Sequence, residues 1–420
     1  MSSTKSTFLD HRRLPPELWI RILDLTAVLP GQLDTDAQDP FDDPCVLPLP
    51  YIISPKNACA AFAAVQEDRA SLALVSRLWN AVVTPLLYKT AYIGTNRSLI
   101  SLASTLAHSD RNAISRGHNI RRLDLMMTNA DGLSVEAMEA LKAVFERVPN
   151  LQILNVCTSA QTPSYAPRPI LCALRDTCAA SLKTFAWDPA SSLRPTMTDM
   201  QALLCSFRHL RTLGQLWWPE CDGYFLAGCP YALPHFLMLK SIALPYGHDD
   251  HGCPPPHFGA LQQVVLGSIT PDGCIDAFVA AHAETLRIAY VEVVAEEQSL
   301  GALTGCPALR HLVLYMTRDM VRALSCWALP DAVTHLGVHV DAAPREAMRE
   351  LVLLLGHLSS MDARGLCVVR LLHLSNEDLA EFVRTDGFAL AYDTFSRKGW
   401  ELEDRAGRRM SPPRIGVAIF

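Results

Sequence analysis

Three histidines, two aspartates and a cysteine lie close together near the middle of the sequence, between His248 and His257. Imidazole nitrogens, carboxylates and thiolates are ligand types that zinc accepts in proteins. A structural zinc site takes four ligands in defined pairs, and the spacing of His248, His251 and Cys253 matches no such framework. The sequence therefore favours a solvated loop at this place, and we assign no metal.

The short motifs of several large enzyme classes are missing from the sequence. It contains no Gly-x-Ser-x-Gly elbow, no Gly-x-Gly-x-x-Gly turn, no Walker loop and no His-Glu-x-x-His helix. We therefore expect that the chain is not an enzyme and takes no cofactor. An enzyme with an unrecognised site is an alternative, and the stretch from His248 to His257 is the first place to look for it.

An aromatic cluster follows an apolar segment near residue 215. It consists of Trp217, Trp218 and Tyr224, in a chain with seven tryptophans. If exposed, these side chains predict a target-binding surface, because large aromatics dominate the binding energy of many interfaces. If buried, they fill the core instead.

The composition limits the fold and the partners. Half of the 420 residues are hydrophobic, which is enough for a large core. A formal net charge of −6 and the lack of a Lys and Arg run predict that nucleic acid is not a main partner. The stretch from Gly223 to Leu239 contains no Asp, Glu, Lys or Arg, but its prolines and its length predict no membrane span.

The cysteines and the first residues bear on the compartment. The 13 cysteines are scattered singly and form no Cys-x-x-Cys pair, which is typical of buried, reduced thiols. Residues 1–10 are polar and begin no apolar signal segment. We expect an intracellular protein, in the cytoplasm or the nucleus.

Two segments near the N-terminus have the periodicity of amphipathic helices. The first starts at the prolines after Leu14 and places Glu17 near the positive end of the helix dipole. The second is predicted as one helix that includes residues 71–80 and is broken at Pro85. The residues that recur at helical spacing are Leu18, Ile22 and Leu25 in the first segment and Leu72, Val75, Trp79 and Val82 in the second.

These segments resemble the two halves of an F-box. The matching stretches are LPPELWIRILDL and LALVSRLWNAVVTPLLYKT, which carry Leu-Pro-x-Glu-Leu, then Ile-Leu, and later Leu-x-x-Val-Ser-Arg-x-Trp. In that family the helices form a plug whose apolar face docks on the Skp-type adaptor of a cullin ubiquitin ligase. The resemblance implies that the adaptor-binding residues are Leu14, Pro15, Glu17, Leu18, Ile22, Leu23, Leu72, Val75 and Trp79.

The predicted F-box module covers residues 12–92 and departs from the family pattern in its middle. A Pro- and Asp-rich insertion at about 28–68 replaces the usual short link, and we predict that its part from Pro30 to Pro55 is a flexible surface segment. Residues Asn57 to Val65 are expected to supply a substitute for the second helix. Alternatively, the helices cap the following domain and bury their apolar stripe within the chain.

Residues 93–375 repeat the pattern apolar-x-x-apolar-x-apolar, with helical segments between the copies. Such spacing predicts strands that turn alternate side chains toward one core, and the periods of 22 to 36 residues are typical of stacked repeats. The stretches VPNLQILNV and CPALRHLVLYM resemble the degenerate leucine-rich repeats that follow F-boxes in many fungal proteins. The copies begin at Ile120, Leu151, Leu182, Leu210, Leu239, Leu261, Leu286, Leu309, Val333 and Val369.

Together these features predict an α+β chain: an all-α F-box module, an irregular α/β leucine-rich-repeat-like solenoid, and a capping helix with a tail over residues 376–420. The capping helix is predicted around Leu379, Phe382 and Val383. A doubly wound α/β domain is the rival explanation of the same alternation of elements.

The resemblance also implies a function. It predicts a substrate-receptor subunit of a Skp-cullin-F-box E3 ubiquitin ligase, which binds the adaptor, and through it a cullin, by the F-box and an unknown target protein by the repeat array. The alternative is a repeat scaffold for protein–protein interaction with a decayed F-box.

Overall fold

The computed structural model describes most of the chain. The described residues are 15–27, 32–36, 39–41, 55–111, 115–127, 132–158, 164–187, 191, 193–214, 238–244, 257–266, 274–293, 300–317, 328–341, 344–361, 363–372, 383–384 and 386–411. Within these ranges, no helix combines the length and the apolar character that a membrane crossing requires.

Three helices come first: α1 (Pro16–Ala27), α2 (Pro55–Ala73) and α3 (Arg77–Lys89). The helix expected from Asn57 to Val65 is confirmed, because α2 covers it. The single helix predicted over 71–80 is wrong. The chain leaves helical geometry between α2 and α3, where the Ser76 hydroxyl accepts the Trp79 backbone N–H at 3.2 Å and starts α3.

Pro85 does not end α3, contrary to the prediction from the sequence. The proline lies inside the helix and is exposed, so the hydrogen bond that it removes is on the solvent side. Val82, Val83 and Leu86 are buried on the other side and hold the helix together up to Lys89.

A parallel sheet of twelve strands forms the rest of the described structure. Its strands, in spatial and chain order, are β1 (Thr90–Ile93), β2 (Arg122–Met127), β3 (Ile153–Thr158), β5 (Thr184–Trp187), β7 (Thr212–Leu213), β8 (Ser241–Leu244), β9 (Gln263–Leu266), β10 (Ile288–Val293), β11 (His311–Thr317), β12 (His335–Asp341), β13 (Val368–Leu371) and β14 (Glu401–Glu403). The short strands β4 (Ser164–Tyr165) and β6 (Leu193–Arg194) pair separately. Because the strand order never reverses, this is not a doubly wound sheet.

Helices connect most neighbouring strands, as parallel pairing requires. They are α4 (Asn96–Arg111), α5 (Val135–Phe145), α6 (Arg168–Cys178), α7 (Met197–Ser206), α8 (Cys274–Ala281), α9 (Gly301–Thr304), α10 (Pro344–Ser360) and α11 (Asp386–Lys398). A 3₁₀ turn, Arg116–Asn119, precedes β2. The chain thus contains both helices and strands, in agreement with the predicted α+β content.

Each of the ten apolar copies in the sequence corresponds to a strand. Their first residues are buried just before the strands, as at Leu151, Leu182 and Leu309. The last copy is misplaced by three residues: Leu336 pairs with Val369, so the unit of β13 begins at Leu366 and not at Val369. Leu366 is 5% exposed and occupies the position of the other leading residues.

The capping helix predicted around Leu379, Phe382 and Val383 falls mostly outside the described residues. Leu379 and Phe382 are not among them, and Val383 lies in a turn before α11. After α11, the segment assigned to the tail adds β14 to the edge of the sheet, where Val369 pairs with Leu402.

The two faces of the sheet differ in what covers them. On one face, the apolar residues of the strands pack against the connecting helices in a continuous core that includes Leu123, Leu154, Phe185 and Leu312. On the other face lies a smaller apolar cluster of Ala243, Val265, Ile288, Tyr290, Val313, Tyr315 and Leu372. Buried polar residues such as Arg122, Asp124 and Arg370 lie on this second face.

Residues 32–36 and 39–41, called here the cross-sheet segment, lie across the second face. We predicted a flexible surface segment from Pro30 to Pro55, and for these residues that prediction is wrong. Gln32 is 2% exposed and Thr35 9%, and the segment contacts the sheet from Arg122 near one end to Arg370 near the other. Prolines and aspartates prevent regular pairing, but the polar side chains of the strands hold the segment by hydrogen bonds and ion pairs.

Candidate functional site

An exposed apolar patch lies on the N-terminal helices. It consists of Leu18 and Ile22 on α1, Leu74 and Val75 in the turn after α2, and Leu78 on α3, with side chains 41% to 85% exposed. Leu74 is the most exposed, at 85%. Single exposed apolar side chains are ordinary, whereas five large apolar side chains exposed on one small module are typical of an interaction surface.

A small apolar core supports the patch from beneath. Leu23, Ala73, Val82, Val83 and Leu86 are buried together there. Above them, the rings of Trp19 on α1 and Trp79 on α3 lie 5.4 Å apart between their centroids and are tilted by 50°. This contact brings together the two sequence segments that resemble an F-box.

The predicted adaptor-binding residues divide into three groups. Pro15, Glu17, Leu18, Ile22 and Val75 are exposed, Leu72 and Trp79 are half-buried, and Leu23 is buried in the small core. Leu14 lies outside the described residues. Leu74 and Leu78 were missed, because a single helix over 71–80 would have placed only Leu72, Val75, Trp79 and Val82 on one face.

The cross-sheet segment begins at a buried polar network. The side-chain carbonyl of Gln32 accepts from Arg69 of α2 at 3.2 Å, and its backbone carbonyl accepts from Arg122 of β2 at 2.6 Å. Asp124 holds the guanidinium of Arg122 by two contacts, at 2.7 and 3.2 Å, and also accepts from Asn155 at 2.5 Å. Gln32 therefore links the helical module to the sheet.

Two aspartates anchor the middle of the segment. Asp36 forms ion pairs with Arg211 at 2.8 Å and with Lys240 at 3.5 Å. Asp39 contacts the Nδ1 of His311 through one carboxylate oxygen and accepts the Phe41 backbone N–H at 2.9 Å through the other. The two aspartates thus contact Arg211 just before β7, Lys240 just before β8 and His311 in β11.

Phe41 occupies an aromatic and cationic pocket at the far end. Its ring lies 4.9 Å from the ring of His311, 5.1 Å from that of His335 and 4.9 Å from the guanidinium carbon of Arg370. A Cβ at Gly337 would lie 2.9 Å from Leu372 and 3.2 Å from Val313, so the glycine leaves space for the apolar cluster. The ring of Phe41 packs against this second-face apolar cluster.

Arg370 holds the segment in the same way as Arg122 does at the opposite end. Glu403 accepts from two nitrogens of Arg370 at 2.7 and 2.9 Å, and the third nitrogen donates to the backbone carbonyl of Pro40 at 2.6 Å. A buried ion pair thus fixes each guanidinium and directs one N–H at the segment's backbone.

The contacts of the segment reach across the sheet from β2 to β13. Nine gaps between strands from β2 to β13 span about 43 Å at about 4.8 Å per gap. Nine residue steps from Gln32 to Phe41 span at most about 32 Å. The long side chains of Arg122 and Arg370, which reach inward from the two ends, cover the difference.

A row of basic residues runs along the side of the sheet at which its strands begin. From β2 to β13, the residue before each strand of the twelve-stranded sheet donates its backbone N–H to the carbonyl of the equivalent residue in the preceding unit, as Lys183 does to Gln152 at 2.9 Å. The eleven residues joined in this way are Lys89, Arg121, Gln152, Lys183, Arg211, Lys240, Gln262, Arg287, Arg310, Thr334 and Cys367. Seven of them are Lys or Arg, in a chain with a net charge of −6.

The surroundings of the segment perturb two titratable groups. Burial raises the pKa of Tyr290, and the negative charge of Asp39 raises that pKa further. Burial lowers the pKa of His335, and the neighbouring His311 and Arg370 lower it further, against the opposite effects of Glu403 and Asp39. The neutral forms of both side chains are therefore favoured under the segment.

Other residues singled out in the sequence give no further site. Trp217, Trp218 and Tyr224 lie outside the described residues, as does most of the stretch from His248 to His257. Only His257 of that stretch is described, and its ring stacks on that of His282 at 5.3 Å. Over the described ranges, no group of three or more His, Cys, Asp or Glu side chains is arranged to hold a metal ion.

The residues of the second face had a weak signal in the sequence. They occupy the x positions of the apolar pattern, such as Arg122, Asp124 and Arg370. An unusual buried Arg or Asp between two core positions marks such a face only when its partner is known, and here the partners lie up to 330 positions away. No model of a known protein family matches this chain, and no curated protein matches its sequence.

Proposed function

We propose that this protein is the substrate-receptor subunit of a Skp-cullin-F-box E3 ubiquitin ligase. It binds a Skp-type adaptor through the apolar patch on its N-terminal helices and a target protein through its repeat array. The observation that supports the proposal best is the exposure of Leu18, Ile22 and Val75, three residues that match the F-box pattern.

The exposure favours one of two interpretations of the N-terminal helices. If these helices only capped the sheet, their apolar stripe would be covered within the chain. Leu18 is 45% exposed and Val75 64%, while the inner residues Leu23 and Val83 form the core of the module. The arrangement has an inner apolar side for folding and an outer apolar side for a partner.

The parallel sheet supports the second half of the proposal, an array of leucine-rich-repeat type. Within the twelve-stranded sheet, each strand pairs only with the strands of the preceding and following units, and the units from β2 to β13 repeat the same backbone hydrogen bond before the strand. Such an array presents one long row of side chains to a partner. Its role in a ligase is to hold a target lysine near the activated ubiquitin, which raises the effective concentration of the two reactants. Catalysis then lies in the associated enzymes, in a compartment inside the cell.

Binding to a purified Skp-type adaptor tests the proposal. The wild-type chain is expected to bind, and Leu18→Asp is expected to weaken binding at least thirtyfold, because it places a charge in an apolar interface. The matched control is Leu390→Asp on α11, where another exposed leucine, 69% accessible, lies far along the chain from the patch. Leu390→Asp is expected to bind as the wild type does. Equal affinities of the wild type and Leu18→Asp, or no binding by the wild type, would contradict the proposal.

A second candidate function is a scaffold that binds partners without assembling a ligase. The observation in its favour is the long connection between α1, which ends at Ala27, and α2, which begins at Pro55. If the wild type fails to bind the adaptor while its sheet face still binds a peptide, the scaffold becomes the better explanation.

A further inference from the structure

We propose that the sheet face beneath the cross-sheet segment is a binding site for an extended, acidic segment of another protein that carries an aromatic side chain. In the free protein, residues 32–36 and 39–41 of the chain itself occupy this site and compete with that partner. The biological role of such a partner as a ubiquitylation target rests on the proposed function, whereas the binding event does not involve the adaptor.

Charge complementarity identifies the occupant as acidic. The segment carries Asp34, Asp36 and Asp39 within six residues. Asp36 forms ion pairs with Arg211 and Lys240, and Asp39 contacts His311. The basic row extends beyond these contacts to Arg287 and Arg310, which are both exposed. A partner with more carboxylates than the segment therefore gains ion pairs along an edge that the segment uses at two positions, Arg211 and Lys240.

The pocket around Phe41 identifies an aromatic anchor. A ring bounded by two imidazoles, a guanidinium and an apolar cluster has the enclosure that interface anchors usually have. The anchor is thus the position at which a competing segment must match the chain's own.

Two further contacts recognise backbone and not sequence. Arg122 and Arg370 each donate to a main-chain carbonyl, of Gln32 and of Pro40. Any extended peptide supplies such carbonyls, so the two arginines fit a foreign segment as well as they fit the native one. On β9, Gln263 is 1% exposed, and its side-chain oxygen has no hydrogen-bond partner among the described residues. A partner with a donor at this point satisfies an acceptor that the chain's own segment does not.

The same features favour a peptide over a nucleic acid. A nucleic acid would meet the basic row with its phosphates, but the contacts that this face makes are with the carboxylates, main-chain carbonyls and phenyl ring of a polypeptide. The segment that occupies the face is itself a polypeptide with carboxylates, which shows that peptide geometry fits.

The experiment measures binding of a fluorescein-labelled peptide with the sequence of residues 31–43 to the full-length protein by fluorescence anisotropy. Phe41→Ala in the protein weakens the competing segment, so this variant is expected to bind the peptide about tenfold more tightly than the wild type. Asp36→Asn is the milder second variant, because Asp36 is 48% exposed and lies outside the core, and about a threefold gain is expected.

Matched controls distinguish binding at this site from nonspecific binding of the peptide. A peptide with Phe41→Ala and a peptide with its aspartates replaced by asparagine are both expected to bind Phe41→Ala protein at least tenfold more weakly than the native sequence. A single-stranded RNA 20-mer is expected not to displace the peptide. Addition of Leu18→Asp to the Phe41→Ala protein is expected to leave peptide binding unchanged, which keeps this test separate from adaptor binding.

Three results would overturn the inference. The first is a folded Phe41→Ala protein that binds the native peptide no better than the control peptides do. The second is a Phe41→Ala protein that fails to fold together with an Asp36→Asn protein whose peptide affinity equals that of the wild type, since the segment would then be a permanent part of the fold. The third is displacement of the peptide by the RNA, which would assign the basic row to nucleic acid.

Discussion

At the scale of single residues, His282 is the side chain whose protonation the fold opposes most clearly. It is 2% exposed, its Nε2 accepts the Phe258 backbone N–H at 2.9 Å, and its Nδ1 lies 2.8 Å from the Phe278 carbonyl. Both contacts are made together by the neutral ring with its proton on Nδ1. Burial lowers the pKa of His282, the nearby His257 lowers it further, and the bond to Phe278 acts in the opposite direction.

The protein is therefore expected to lose stability in mild acid through His282. In the unfolded chain this group titrates near 6.5, and in the folded chain it titrates lower. Well above pH 6.5 the ring of His282 is neutral in both states and does not change the free energy of unfolding. As the pH falls below 6.5, the unfolded state takes up the proton first, and the free energy of unfolding decreases until the folded-state pKa is passed.

Urea unfolding at pH 7.5 and pH 5.5 measures this effect. The matched variant is His282→Gln, which cannot titrate and offers an oxygen where Nε2 accepts. The wild type is expected to lose more stability than the variant between the two pH values. Equal losses would show that His282 does not contribute.

The same scale shows why the second face was hard to foresee. From the sequence, Asp36, Asp39 and Phe41 belong to a stretch whose prolines and acids indicate a flexible segment. The partner of Asp36 lies 175 positions away in the sequence, and that of Asp39 lies 272 positions away. Arg370, which donates to the carbonyl of Pro40 beside Phe41, lies 330 positions from Pro40. No local pattern contains that information. By contrast, Leu18, Ile22 and Val75 were identified as candidates because helical periodicity and a resemblance both act over short distances.

At the scale of elements, glycines set the distance between neighbouring units of the sheet. A Cβ on Gly117, in the turn before β2, would lie 2.0 Å from the carbonyl oxygen of Arg147 before β3. A Cβ on Gly365, in the turn before β13, would lie 2.2 Å from the carbonyl oxygen of Asp331 before β12. Backbone cannot move away as a side-chain tip can, so both units would have to separate.

Gly117→Ala and Gly365→Ala are each expected to lower the free energy of unfolding by about 1 to 3 kcal/mol. Gly305→Ala is the control, because a Cβ there would have no heavy atom within 4 Å. Its effect is expected to stay within about 0.5 kcal/mol. Chemical denaturation of the three variants checks the prediction, and losses of equal size at Gly117 and Gly305 would contradict it.

The elements also show how far sequence periodicity predicts structure. Ten strand positions followed from the apolar triplets, because each triplet fills the core of its own unit. The register of β13 was misplaced because Val369, Leu372 and Leu374 repeat the same triplet as Leu366, Val369 and Leu371. The edge strands β1 and β14 were missed, since β1 carries only the weak copy Tyr88, Ala91 and Ile93, and β14 has Gly399 and Asp404 at two of the three positions.

At the scale of the whole molecule, the cross-sheet segment connects units that otherwise touch only their neighbours. In an array of nearest-neighbour contacts, the terminal units unfold more easily than the middle. Contacts from Arg122 to Arg370 join the two ends through one stretch of chain. Unfolding of the sheet should therefore be more cooperative than its topology alone implies.

Removal of the contacts of Asp36 and Phe41 is expected to reduce that cooperativity. The double variant Asp36→Asn, Phe41→Ala should show a smaller dependence of the free energy on urea than the wild type, or two separate transitions by circular dichroism. Arg397→Ala is the control, since its ion pair with Asp393 is exposed on α11 and does not touch the segment. Identical transitions in all three proteins would contradict the coupling.

The sequence separation of these contacts also has a consequence during synthesis. The ribosome makes residues 32–41 early, and Arg370, which holds Pro40, follows 330 residues later. At about 5 to 20 residues per second, the segment waits roughly 15 to 70 s for its last contact. For that interval the growing sheet has no complete internal occupant. A partner of the proposed kind that is present during synthesis would compete with a segment that still lacks its contact with Arg370, whereas one that arrives later would have to displace the complete set of contacts.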